Sequence, residues 1–92
     1  MTEITDTPLP ERPSLNKMFR LQWEPAQKAH VLLYPEGMVK LNQSAAEILK
    51  RCDGERTIAQ LIADIEQAFG EKDLRDPVMG MLRTAFEQDW IQ

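Results

Sequence analysis

The chain has 92 residues and a mass of 10.6 kDa, room for one small domain with one thin core. Its apolar fraction of 42% is enough to fold, and eleven Lys and Arg against fifteen Asp and Glu give a net charge of −4, which disfavours partners made of phosphate. One cysteine cannot form an internal disulfide or a Cys-based metal site alone, the longest apolar run (Val31–Tyr34) is far short of a membrane span, and no basic-then-apolar leader opens the sequence, so a cytoplasmic protein without a membrane partner is expected.

Residues 1–16 read as an extended arm outside the core. They hold Pro8, Pro10 and Pro13, carry one Arg against three acids, and offer only Ile4, Leu9 and Leu15 as large apolar side chains after Met1. Such an arm is expected to pack on a neighbour, for example a second copy of the chain. The remaining residues, 17–92, form the domain.

Strand signals come first. Phe19–Trp23 alternates apolar and polar, and His30–Tyr34 is rich in β-forming residues. Tyr34-Pro35-Glu36-Gly37 is a turn with Pro in its second position and Gly in its fourth, and Met38–Leu41 alternates again. Short connections imply an antiparallel three-stranded meander, with Phe19, Leu21, Trp23, Val31, Leu33, Val39 and Leu41 expected to face inward.

Helix signals follow. Ser44 with Glu47 makes one capping box, and Asn42 is an alternative cap. Ala45, Ile48, Leu49 and Cys52 share a face of this helix, and Gly54 is placed to end it. Thr57 with Gln60 opens a second helix whose Ile58, Leu61, Ile62, Ile65 and Phe69 keep helical spacing, and Gly70 closes it. A third helix starts at Asp73 or Asp76 and runs to about Trp90, with Pro77 in its first turn. The expected fold is α+β: a three-stranded antiparallel sheet followed by three helices, similar to a winged helix.

Chemical constellations are scarce. His30 is the lone histidine and reads as a surface residue; Cys52 reads as a small buried residue. The four glycines are scattered and form no phosphate loop. A winged-helix DNA binder needs a basic recognition helix, but Ile58–Phe69 holds Asp64 and Glu66 and no cation, so no nucleic-acid partner is expected. An oligomerisation module, paired through the edge strand or the arm, is the other alternative.

The third helix is unusual. Its apolar arc spans roughly 180°, against about 100° needed to pack on a core. Leu74, Val78, Met81 and Ala85 cluster in one direction, with Leu82 at the edge. Met79 and Phe86, bracketed by Arg75 and Arg83, form a second flank suited to a peptide, or else the whole arc is core. The last strand is an edge, and Met38, Val39, Lys40 and Leu41 include no proline to block pairing. A groove between that edge and the helix would have strand hydrogen bonds as its floor, Met79 and Phe86 as its wall, and Lys40, Arg75 and Arg83 as a cationic rim for an acidic peptide.

Several residues in order resemble one family. Val31-Leu32-Leu33-Tyr34-Pro35-Glu36-Gly37, Leu41-Asn42 with Ala45, Ile48-Leu49, and Cys52-Asp53-Gly54 with Thr57 are similar to the pyrroloquinoline quinone (PQQ) biosynthesis protein D (PqqD) family, over about Lys17 to Ile91. The pattern departs at Pro77, where an acidic residue is frequent, and at Asp89, where glycine is common. The resemblance implies a non-catalytic precursor-peptide recognition element with no cofactor of its own. It implies two partners: the precursor peptide, and a radical S-adenosylmethionine enzyme that crosslinks a Glu and a Tyr in it. It places the peptide between the third strand and third helix, here Met38, Val39, Lys40 and Leu41 with Arg75, Met79, Leu82, Arg83 and Phe86. A homodimer through the arm or edge strand is compatible with it.

Overall fold

A computed structural model describes residues 9–92. Three strands come first: β1 (Arg20–Glu24), β2 (Ala29–Tyr34) and β3 (Gly37–Lys40). They form one antiparallel sheet in the order β1-β2-β3. Three helices follow, α1 (Gln43–Lys50), α2 (Ile58–Phe69) and α3 (Arg75–Glu87), so the expected α+β architecture is the one observed. Among the described residues no helix is long and apolar enough to cross a membrane.

The register decides which side chains meet the helices. Leu21, Leu32 and Val39 are direct cross-strand neighbours, and Leu32 is fully buried in the core cluster with Leu21 and Val39 packed against it. Gln22, Val31 and Lys40 form the adjacent row, on the opposite face. Val31 and Leu33 thus face away from Leu32, contrary to the expectation, although Val31 is itself fully buried and Leu33 half-buried. β2 carries apolar residues on both faces, so its sequence has no phase, and the turns set the register instead. Trp23 shares the inner face but lies at its end, 52% exposed.

Local chemistry explains the helices. The Asn42 side chain accepts the Ala45 N–H at 2.8 Å, so Asn42 caps α1 rather than Ser44. Both bonds of the Thr57–Gln60 capping box form on α2, and Gly70 ends that helix at φ 67°. Neither Asp73 nor Asp76 caps α3. Asp73 is left-handed at φ 60°, Leu74 is the cap residue, and the Glu66 carboxylate accepts the Leu74 N–H at 3.0 Å. That carboxylate sits at the positive end of the α3 dipole. Val78, Leu82 and Ala85 bury one line of α3 in the core shared with Ile48, Leu49, Leu61 and Ile65.

The arm is the second correction. Pro8 and everything before it lie outside the described residues, but residues 9–16 belong to the domain. Pro13 is buried, and Leu9 and Leu15 pack against the core. Ser14 exchanges backbone hydrogen bonds with Gln92 (3.0 and 2.9 Å), and the Asn16 N–H donates to the Trp90 carbonyl at 2.8 Å. On its other side the Leu15 N–H donates to the Cys52 carbonyl and the Gly54 N–H to the Pro13 carbonyl. The segment is thus strapped between the α1–α2 loop and the C-terminus of this same chain. Gly54 serves the strap rather than the helix end: α1 stops at Lys50, Gly54 has φ 79°, and an added Cβ would stand 3.3 Å from that of Ser14.

Candidate functional site

β3 has β2 on one side and, among the described residues, no strand on the other. The Leu41 N–H donates to the His30 carbonyl at 3.0 Å, which makes Leu41 and His30 a hydrogen-bonded pair. Antiparallel pairs alternate. Val39 with Leu32 and Gly37 with Tyr34 therefore bond across the ladder, while the N–H and C=O of Met38 and Lys40 point away from the sheet. The free edge offers two donors and two acceptors in an extended row, the arrangement that accepts an added strand.

Side chains of β3 divide by the same alternation. Val39 faces the helices, while Met38, 46% exposed, and Lys40 project from the outward face. Leu41 is buried and begins the turn into α1. On α3, Arg75 and Arg83 are exposed, Met79 and Phe86 are half-buried against the core, and Leu82 is fully buried. Leu41 and Leu82 are therefore supports of the candidate groove rather than lining. Val39 packs on the core cluster from the sheet and Met79 and Phe86 from the helix, while β3 and α3 are not among the element pairs that pack closely on each other.

The far flank of α3 does something else. Leu74, Pro77, Val78 and Met81 border an apolar hollow of about 250 Å³ with Ala45, Ile48, Ile65 and Phe69. A larger cleft of about 330 Å³ lies at the end of the sheet, between Trp23 and His30 on one side and Asn42, Ala46 and Glu47 on the other. His30 stacks edge-to-face on Trp23, with centroids 5.2 Å apart, so it is a half-buried residue of the inner face rather than a surface one. Sequence reasoning missed this pairing because it assigned β2 the opposite phase.

Titratable groups behave as structural parts. Burial pushes the Cys52 thiol up to about 12, and its Sγ donates to the Ile48 carbonyl at 3.4 Å, so it is no nucleophile at neutral pH. The backbone N–H groups of Glu55 and Arg56 hold the Asp53 carboxyl below its ordinary value. Hydrogen bonds from Lys50 and then Arg51 do the same for Glu47. Among the described residues no three His, Cys, Asp or Glu side chains gather as metal ligands.

Comparison with known proteins finds relatives over nearly the whole chain. A family model described as coenzyme PQQ synthesis protein D (PqqD) matches residues 29–91. A protein of Azotobacter vinelandii named PqqA binding protein is 50% identical over 90 residues, covering 97% of this chain and 98% of its own length. One of the same name from Stutzerimonas stutzeri is 43% identical over 90 residues, with the same coverage. The solution NMR structure of the PqqD truncation of Methylobacterium extorquens PqqCD, described as a functional, stand-alone recognition element for ribosomally synthesised and modified peptides, matches with a TM-score of 0.71 at 26% identity, over 87% of each chain.

Proposed function

The chain belongs to the coenzyme PQQ synthesis protein D family, and on that premise we propose that it is a non-catalytic adaptor that binds the PqqA precursor peptide and presents it to the radical S-adenosylmethionine enzyme of PQQ biosynthesis. The observation that carries the reading is the free edge of β3 in a chain that matches PqqA binding proteins over nearly its whole length.

The peptide adds as a strand beside β3. Its backbone bonds to the N–H and C=O groups of Met38 and Lys40, and alternate side chains reach the flank of α3. Met79 and Phe86 give that flank its apolar surface, and Arg75 and Arg83 favour an acidic peptide. Val39, Leu41 and Leu82 hold the two walls in place from the core. The adaptor accelerates the enzyme's reaction by raising the local concentration of peptide, without chemistry of its own.

Calorimetric titration with the precursor peptide tests this. Saturable one-to-one binding is expected, weakened about tenfold by Arg83→Glu and by Phe86→Ala, which is a loss of about 1.4 kcal/mol each. Absence of binding by the wild-type chain, both alone and with the enzyme present, would sink the adaptor reading.

A further inference from the structure

We infer that Asn16 is a positioning residue of the peptide groove: it holds the last turn of α3, and with it Phe86, in the place where the peptide meets them. This rests on the adaptor reading above. Among the described residues α1 is the one element that packs closely on α3. Ala45 and Ile48 of α1 share an apolar hollow with Val78 and Met81, in the first half of α3. Phe86 lies beyond that hollow, in the last turn, and is only half-buried against the core. The last carbonyls of a helix have no partners within it, and such an end frays unless something outside holds it. How α3 ends therefore decides how firmly its Phe86 wall stands.

The Trp90 N–H donates to the Ala85 carbonyl at 2.8 Å and the Asp89 N–H to the Phe86 carbonyl at 3.1 Å. These two bonds are the helix-ending motif that favours glycine at its first residue past the cap, here Asp89. Asp89 takes the left-handed conformation all the same, at φ 63°. A side chain there is strained, and the conformation persists where neighbours impose it. Asn16 is that neighbour. Its Nδ2 donates to the Asp89 carbonyl at 2.9 Å and its backbone N–H to the Trp90 carbonyl at 2.8 Å. Its other two groups belong to the sheet side. Its Oδ1 accepts the Met18 N–H at 3.0 Å, and its carbonyl accepts the Phe19 N–H at 2.9 Å, closing the turn that leads into β1. Asn16 thus ties the exit of α3 to the entry of the sheet, and the residue it ties, Asp89, is bonded directly to Phe86.

The test uses the full chain and the precursor peptide, with affinity read by calorimetry and folding by urea denaturation. Asn16→Ser isolates the tie. A serine hydroxyl still accepts the Met18 N–H but is too short to reach Asp89, so the turn into β1 stays and the side-chain bond to the α3 exit goes. Peptide affinity should fall about fivefold in Asn16→Ser under conditions where the chain is folded. In a Phe86→Ala background the same change should weaken binding no further, because the side chain it positions is already gone. In an Asp89→Gly background it should cost less than about twofold, because glycine holds the left-handed exit unaided. Asn16→Ser that binds like the wild type would overturn the inference and leave the adaptor reading intact. So would a fivefold loss that persists undiminished in either background, which would make Asn16 a support of the whole domain rather than of this wall. Asn16→Ser that does not fold would overturn it on the same ground. Failure of the wild type to bind the peptide, with or without the enzyme, would instead be the failure of the adaptor reading.

Discussion

Proline at two adjacent positions of β3 separates the edge from the ladder. The Met38 N–H points away from β2, so Met38→Pro removes no hydrogen bond of the sheet, and proline is tolerated where an edge strand turns its N–H outward. Folding stability should fall by about 1 kcal/mol or less, the cost of pulling a strand φ toward about −65°. An added strand, however, loses one hydrogen bond, about 0.5–1.5 kcal/mol, and meets the pyrrolidine ring where its backbone should lie about 4.8 Å away. Peptide affinity should drop at least about tenfold, or about 1.4 kcal/mol. Val39→Pro is the opposite case. Its N–H bonds back to Leu32 and its side chain packs on the core, so the loss of stability should reach about 3 kcal/mol or more. Urea denaturation reads the first quantity and calorimetry with the precursor peptide the second. If Met38→Pro unfolds as readily as Val39→Pro, the alternation deduced from the Leu41–His30 bond is wrong. If Met38→Pro folds and binds peptide like wild type, the peptide does not use this edge.

Other expectations follow from the same contacts. Leu82 is fully buried between α3 and the core, so Leu82→Ala should cost about 3 kcal/mol in urea denaturation. Asp89 holds φ 63° with its carbonyl accepting from the Asn16 side chain, so Asp89→Gly should keep the strap and raise the melting temperature, equivalent to about 0.5–1 kcal/mol. Cys52 should react with a thiol reagent at pH 8 only at the rate of global opening; rapid labelling of the native chain would contradict its burial. The folded-state values of Asp53 and Glu47 are lowered, so their contribution to stability is present above their unfolded values and lost as pH falls through the folded ones. Denaturation midpoints measured from about pH 5 down to about pH 2 should decline less steeply in Asp53→Asn than in wild type.

How far the sequence could be read depended on where each determinant lies. α2 was fully legible, because Thr57, Gln60 and Gly70 act within one turn of the helix they bound. The strand order was legible from two short turns. The phase of β2 was not, since Ala29–Tyr34 is apolar on both faces, Val31 and Leu32 are both fully buried, and only the pairing with Leu21 and Val39 turns Leu32 toward the helices. The start of α3 was misplaced for a related reason. The N–H of its cap residue Leu74 is met by Glu66, eight residues earlier on another helix, and no neighbouring aspartate caps it. The strap of Pro13–Asn16 was read as part of an arm packing on a neighbour, because its partners within the chain, Cys52 and Trp90–Gln92, lie far along the sequence. The departure at Asp89 gained a meaning once its φ was known: a left-handed position explains why glycine suits it.

The edge and the face of one sheet are physically independent surfaces, and that shapes the functional reading. Hydrogen-bonding groups of a strand lie in the plane of the sheet, and its side chains stand perpendicular to that plane. Met38 and Lys40 therefore present their backbone groups in one direction and their side chains in another. A charge change on the outward face leaves the edge's N–H and C=O groups untouched, and a proline at the edge leaves Arg20 and Met18 in place. A chain of 92 residues has little volume for a deep pocket, but a three-stranded sheet whose β3 edge is unpaired among the described residues offers a surface without one. Net charge hides this arrangement. The excess of acid belongs to residues 41–92, whereas residues 17–40 hold four Lys and Arg against two Glu, so an acidic peptide added at β3 would meet a locally positive stretch, joined by Arg75 and Arg83 of α3.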